Sequence, residues 1–188
     1  KSTLLNILAG LDRPSAGQVR VGSRDLLNIS DRELVSYRRL DVGFVWQATS
    51  RNFVPYLTVR DNVELPMAMA GTKSASRRIA AMELLSSLSL EDKADRLPNQ
   101  LSGGEQQRVA IARSIVNDPR IIFADEPTGN LDSNTGEAIL NMFRELNRDG
   151  RTIVLVTHDP EIAGITPRRI EIRDGKIAEN INRKLAGQ

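Results

Sequence analysis

Leu101-Ser102-Gly103-Gly104-Glu105-Gln106-Gln107-Arg108 is the stretch on which the reading of this chain turns. Ser102 and Glu105 have the spacing of an N-cap residue and the third residue of a helix, so a reciprocally capped helix is expected to start here. The two glycines between them carry no side chain that would block approach to the first backbone N–H groups. Those groups have no intrahelical acceptor, and the helix dipole is positive at this end, so the tip suits an anion. A lone Ser-x-x-Glu would mean only an ordinary capped helix. The full string is much more specific.

Working outward, the helix is expected from Gly103 to about Asn117, with Pro119 after it. Ile121 to Ala124 is an unbroken apolar run leading into Asp125-Glu126, and Thr152 to Thr157 is another. Such runs suit strands buried on both faces of a parallel sheet. Between them Ile139, Leu140, Phe143 and Leu146 mark an amphipathic helix that ends at Gly150, which completes a βαβ unit. Upstream, Val42 to Trp46 reads as a strand ending at Gln47, and Ala48 to Tyr56 as a loop. A helix is predicted over Thr58–Met69, with Pro66 against its interior, and another over Ser76–Leu88 with Ile79, Met82, Leu85 and Leu88 as its apolar face. Asp92 to Gln100 is polar and contains Pro98.

The two ends read as follows. Ser2 to Ala9 is predicted helical, with Leu4, Leu5 and Leu8 on one side and Gly10 near its end. Pro14 and Gly17 mark a turn, Gln18 to Val21 a short strand, and the capping box at Ser30–Glu33 a helix over Asp31–Arg39. Arg169–Ile172, Asp174-Gly175 and Lys176–Ala178 read as a hairpin, and the residues after Asn180 as a polar tail. The expected architecture is α/β: one domain over 1–188, with a core lobe from about 1–47 and 119–180 and a helical subdomain over about 48–118.

Composition bounds the function. The chain has 188 residues, 40% apolar and 27% charged, ordinary for one globular domain. A net charge of +2 is too small to argue for nucleic acid, and no nucleic-acid partner is expected. There is no cysteine, which excludes disulfides and thiolate metal sites. No apolar run approaches the ~20 residues of a membrane span.

Several residues carry chemistry by type and place. The chain opens at Lys1-Ser2-Thr3, without Met, on what matches the last residues of a P-loop, G-x-x-x-x-G-K-S/T. A fragment is therefore expected, cut inside the P-loop. The lysine suits the β- and γ-phosphates of a nucleotide, and a hydroxyl at the next position suits Mg²⁺. Asp125 and Glu126 stand at the carboxyl end of a predicted strand, where open α/β sheets bind ligands. Gln47 follows one strand, and His158, the only histidine, ends another before Asp159-Pro160.

Taken in order, Lys1-Ser2-Thr3, Gln47, LSGGEQQR, Ile121–Glu126 with Pro127-Thr128-Gly129, Asn130-Leu131-Asp132 and His158 resemble the motifs of the ABC ATPases over nearly the whole chain. The resemblance implies a P-loop NTPase core with a mostly parallel sheet, plus a helical subdomain that carries the signature. It implies ATP and Mg²⁺ as ligands. Asp125 would hold the metal through water, with Ser2 and Gln47 as further metal contacts, and Glu126 would be the base for the attacking water. His158 would touch the γ-phosphate, and Gln47 would sense metal and water and couple the site to a partner. Lys1, Ser2 and Thr3 would bind the chain's own nucleotide. Ser102, Gly103 and Gly104 would bind the γ-phosphate held by a second copy, and Asp132, in the loop that crosses the dimer interface, is counted with the nucleotide contacts. The implied partners are a second ATPase subunit, identical or paired, and a transmembrane permease, with the chain peripheral on the cytoplasmic face of the membrane. Val54 to Pro66 resembles the lipoprotein-release and macrolide-export type, although Ala48–Phe53 departs from that group's shorter leucine-rich loop. The aromatic residue that the family stacks on adenine has no candidate here. A competing reading is a soluble ABC-type ATPase acting on DNA or ribosomes, and a third is that this polypeptide, without the P-loop glycines, is itself inactive.

Overall fold

The structure, a computed structural model, describes residues 1–182. Its centre is a parallel sheet of three strands in the order β3-β4-β5: β3 (Val42–Val45), β4 (Ile121–Asp125) and β5 (Thr152–Val156). The register runs from Val42 beside Ile121 and Thr152 to Asp125 beside Val156, so the carboxyl ends of all three strands finish on one edge. Alternation sorts the side chains of β4. Phe123 packs against Leu5 and Ala9 of α1 (Ser2–Leu8) and its cap on one face. Ile122 and Ala124 meet Ala110 and Ile111 of α5 (Gly103–Ile115) and Ile139 and Phe143 of α6 (Ser133–Arg148) on the other. The result is helix, sheet, helix in three layers.

β4 is buried along Ile122–Ala124, as its apolar run requires, but Ile153–Val156 of β5 are only half-buried, against expectation. Among the described residues β5 pairs with β4 alone, so one side lacks a covering neighbour.

Helix α5 lies unusually close to β3, and Gly43 is the reason. A Cβ at Gly43 would stand 2.4 Å from the Ser114 carbonyl oxygen and 3.3 Å from Pro119 Cγ. The obstacle is helix backbone, which cannot rotate away. Gly43→Ala is expected to cost about 3 kcal/mol and to lower Tm by roughly 10 °C in thermal denaturation; an unchanged Tm would show that the layers can separate freely.

Three helices share a second apolar cluster. Val59, Val63 and Met67 form a stripe on α3 (Val59–Met69), facing Ala81 and Leu85 of α4 (Ser74–Ser87) and Val109 and Ala112 of α5. The stripe carries α3 straight through Pro66, whose missing donor removes one hydrogen bond without ending the helix. Ile79 does not join the cluster; it is 61% exposed. It lies two residues before Ala81, and residues two apart do not share a helix face. Leu4 of α1 is likewise turned outward, while Leu5 is buried.

Other boundaries differ from expectation. The first hairpin has two strands, β1 (Arg20–Val21) and β2 (Arg24–Asp25), of which the sequence reading found one. Helix α2 (Asp31–Ser36) begins at the expected capping box but gives way to a π-turn over Tyr37–Asp41. That turn buries Tyr37, whose hydroxyl donates to Leu8 O at 2.6 Å. The predicted loop at 48–56 contains a 3₁₀ turn, Thr49–Asn52, and its exit is held by buried Asn62, which accepts from Val54 N and donates to the carbonyls of Val54, Leu57 and Thr58. A short helix α7 (Pro160–Gly164) precedes the final hairpin. That hairpin, β6 (Arg168–Arg173) with β7 (Lys176–Asn182), extends past Asn180 into the predicted tail; the rest of that tail, 183–188, lies outside the described residues.

Candidate functional site

The carboxyl edge of the sheet gathers most of the residues singled out by sequence. β3 runs out into Trp46 and Gln47, β4 ends in Asp125 followed by Glu126, and β5 continues into Thr157 and His158. Glu126 N donates to Val156 O at 2.9 Å, which locks the residue after β4 against the end of β5. Its φ of +48° is rare for a residue with a side chain and belongs to strained, functional turns. That turn presents the Glu126 carboxylate, mostly buried, to exposed His158: Nδ1 lies 2.8 Å from Oε1. With the carboxylate ionised the Nδ1–H donates, leaving Nε2 as the ring's remaining polar atom.

Lys1 reaches the same edge, its Nζ donating to Thr157 O at 3.5 Å. Ser2 and Thr3 follow it in the first turn of α1, both exposed. Gln47 comes in from the other side. A Cβ built on Gly129 would be 3.6 Å from both Gln47 Nε2 and Glu126 Cβ, so the amide and the base of the Glu126 side chain flank one glycine. Asp125, half-buried, sits between these groups in register with Val156.

The signature residues form a second group. Ser102 caps α5 as expected: its Oγ accepts from Glu105 N at 3.3 Å, and Glu105 Oε2 accepts from Ser102 N at 2.8 Å. That backbone donor is the main reason the Glu105 carboxyl is held below its usual range. Ser102 and Gly103 are exposed and Gly104 is half-buried. Among the described residues no hydrogen bond or ion pair links Ser102, Gly103 or Gly104 to Lys1, Gln47, Glu126 or His158. They face the start of α6 instead. A Cβ on Gly103 would meet Leu131 at 3.7 Å, and one on Gly104 would meet Thr135 Cγ2 at 2.5 Å. Asp132 is the N-cap of α6; its oxygens accept from Thr135 N at 3.0 Å and Thr135 Oγ1 at 2.7 Å, bonds that hold its carboxyl low. The structure therefore uses Asp132 to cap a helix.

Several contributors were not found from sequence. Thr157 supplies its carbonyl to Lys1 and its Oγ1 to Asp159 N, and Asn52, Arg113 and Thr135 act through loop and helix contacts that carry no motif. Gly129 stands out in the sequence only as part of the Pro127-Thr128-Gly129 string.

The donor types fit a hard cation bound with phosphate. Among the described residues no group of three or more His, Cys, Asp or Glu could cage a metal. A hydroxyl at Ser2, one carboxylate at Asp125 and an amide at Gln47 suit Mg²⁺, which keeps waters and takes phosphate oxygens as ligands.

A parallel sheet that assembles a lysine, a carboxylate pair, an amide and a histidine at its carboxyl edge, with a glycine-tipped helix beside it, defines an α/β nucleotide hydrolase of the P-loop class. Residues 1–129 match the ABC transporter family, and the chain belongs to it as an ATP-binding cassette. It is 50% identical to an ABC transporter ATP-binding protein of Thermotoga maritima, over 98% of this chain and 77% of that one. It is 47% identical to the ABC transporter ATP-binding protein YknY of Bacillus subtilis, over 94% and 76%. It is 46% identical to the macrolide export ATP-binding/permease protein MacB of Marinobacter nauticus, covering 98% of this chain but 28% of that longer protein. Among solved structures, the cassette MJ0796, described as a dimeric post-hydrolysis state bound to ADP and Pi, superposes with a TM-score of 0.88 at 43% identity, over 97% of this chain and 80% of that one. Among the described residues no helix is long and apolar enough to cross a membrane.

Proposed function

We propose that this chain hydrolyses Mg²⁺-ATP in a head-to-tail pair of cassettes, on the cytoplasmic face of a membrane, and drives a transmembrane permease of the lipoprotein-release or macrolide-export type. The 2.8 Å contact between Glu126 and His158 carries the reading, because it joins two adjacent strand ends at the place where a terminal phosphate must be attacked. Glu126 accepts a proton from the attacking water and holds it in line. His158 contacts the γ-phosphoryl group, and Lys1 places its ammonium on the β- and γ-phosphates. Ser2, Asp125 and Gln47 would hold Mg²⁺, which supplies charge neutralisation at the phosphates. Ser102, Gly103 and Gly104 complete the site of the opposite copy through the free N–H groups of their helix tip. Asp132, already engaged as a cap, shapes the dimer surface through the loop it ends.

The work divides between a core lobe, about 1–47 and 119–180, and a helical subdomain, about 48–118. The first carries Glu126 and His158; the second carries the signature. A Mg²⁺-dependent ATPase assay on the protein tests the reading. Turnover that requires Mg²⁺ and rises with the square of protein concentration in the dimerising range is expected. Absence of Mg²⁺-dependent turnover would reject it.

A further inference from the structure

Asn52 is 1% exposed, and its amide closes on one residue from both directions. Its Oδ1 accepts from Trp46 N, and its Nδ2 donates to Trp46 O, each at 3.0 Å. Trp46 O belongs to the peptide that carries the nitrogen of Gln47. The bridge thus fixes the backbone from which the Gln47 side chain springs. The Asn52 carbonyl is held in turn by Nη1 of Arg113 at 2.6 Å. Arg113 stands near the end of α5, the helix whose tip is the signature. Next to Asn52, Phe53 packs against both the apolar cluster of the sheet and that of α3, α4 and α5.

The arginine is costly where it is. Burial pulls its pKa down, its Nε is buried without a partner, and among the described residues its one hydrogen bond is to Asn52. A half-buried cation with a single neutral acceptor and a buried, unpartnered Nε gains little for folding over an apolar side chain of similar size. Stability alone does not account for it.

We infer that Asn52 and Arg113 are positioning residues, a hydrogen-bonded line from Arg113 through Asn52 to Trp46 that ties the orientation of the signature helix to the placement of Gln47. This rests on the function proposed above. When α5 tilts, the pull on the Asn52 carbonyl passes through a rigid amide bridge to the peptide ahead of Gln47. Packing alone would let the loop slide; the two-point clamp on Trp46 does not.

The test is steady-state ATP hydrolysis by the protein carrying Asn52→Ala, Arg113→Met, Arg113→Lys or Gln47→Ala, and by the Gln47→Ala, Asn52→Ala double variant. Asn52→Ala and Arg113→Met are each expected to lower kcat by about tenfold while KM for ATP changes less than about twofold. Arg113→Lys, which can still donate to the carbonyl, recovers most of the rate. In the Gln47→Ala background Asn52→Ala removes less than about a further twofold, because its effect runs through the glutamine. If Asn52→Ala costs as much without Gln47 as with it, the residues only hold the fold together and the inference fails. It also fails if Arg113→Met turns over at the parental rate. Should Asn52→Ala not fold, Asn52→Ser keeps an acceptor while losing the Nδ2 donor and gives the same comparison. A parental protein that hydrolyses no ATP would instead sink the proposed function.

Discussion

Glu126→Gln is expected to lower kcat for ATP hydrolysis by about 10³-fold, with nucleotide binding retained. The amide has nearly the shape of the carboxylate, so the turn after β4, with Glu126 N bonded to Val156 O and φ at +48°, has no steric reason to change. What is lost is the acceptor for the proton of the attacking water. A glutamine oxygen still accepts from His158 Nδ1, so the 2.8 Å contact survives and the histidine stays in place. Binding without turnover traps the nucleotide, and the two copies stay closed. Size-exclusion chromatography with and without ATP is the second measurement: the variant should run as a dimer only with ATP. Parental rates of hydrolysis would remove Glu126 from its assigned role.

The signature yields the second large effect, and mixing makes it specific. Gly104→Asp places a carboxylate on the helix tip proposed to meet a partner's phosphate, and is expected to lower turnover by ~10²–10³-fold. Space adds to charge. Any Cβ at Gly104 meets Thr135 Cγ2 at 2.5 Å, and the Thr135 side chain is pinned by its Oγ1 bond to Asp132. The tip must lift away from α6 or break the cap. Glu126→Gln and Gly104→Asp are inactive alone, yet a mixed dimer holds one intact site, built from the carboxylate of one chain and the signature of the other. An equal mixture should recover up to about a quarter of parental activity if the sites are independent. If each site were built within one chain, neither partner could supply what the other lacks, and mixing inactive proteins would restore nothing.

Much of this was readable in order along the chain because the signals are local. Capping at Ser102-Glu105 and at Ser30-Glu33 needs only three residues of spacing, and both boxes form as read. The apolar run Ile121–Ala124, buried from Ile122 on, became the central strand because four successive apolar residues cannot face water on either side. Reading failed where a neighbour decides. Ile79 has the right residue type for a core and the wrong phase, since the packing of α3 and α5 selects the face that carries Ala81 and Leu85. Thr152–Val156 looks like β4 in sequence and differs in burial because, among the described residues, it has one paired neighbour.

The candidate site divides the same way. Residue identity and motif order, with no coordinates, determined that this chain is an ABC cassette and named Lys1, Gln47, Ser102, Asp125, Glu126 and His158. Only the tertiary structure decided that Glu126 meets His158, that the Gln47 amide and the base of the Glu126 side chain both lie beside Gly129, that Asp132 caps a helix, and that Asn52 and Arg113 stand behind Gln47. The physical reason is separation along the chain. A cap or an apolar run is an interaction among near neighbours. Contacts such as Glu126 with His158 or Asn52 with Arg113, by contrast, exist only once the sheet register and the seat of α5 on β3 bring distant segments within hydrogen-bonding reach.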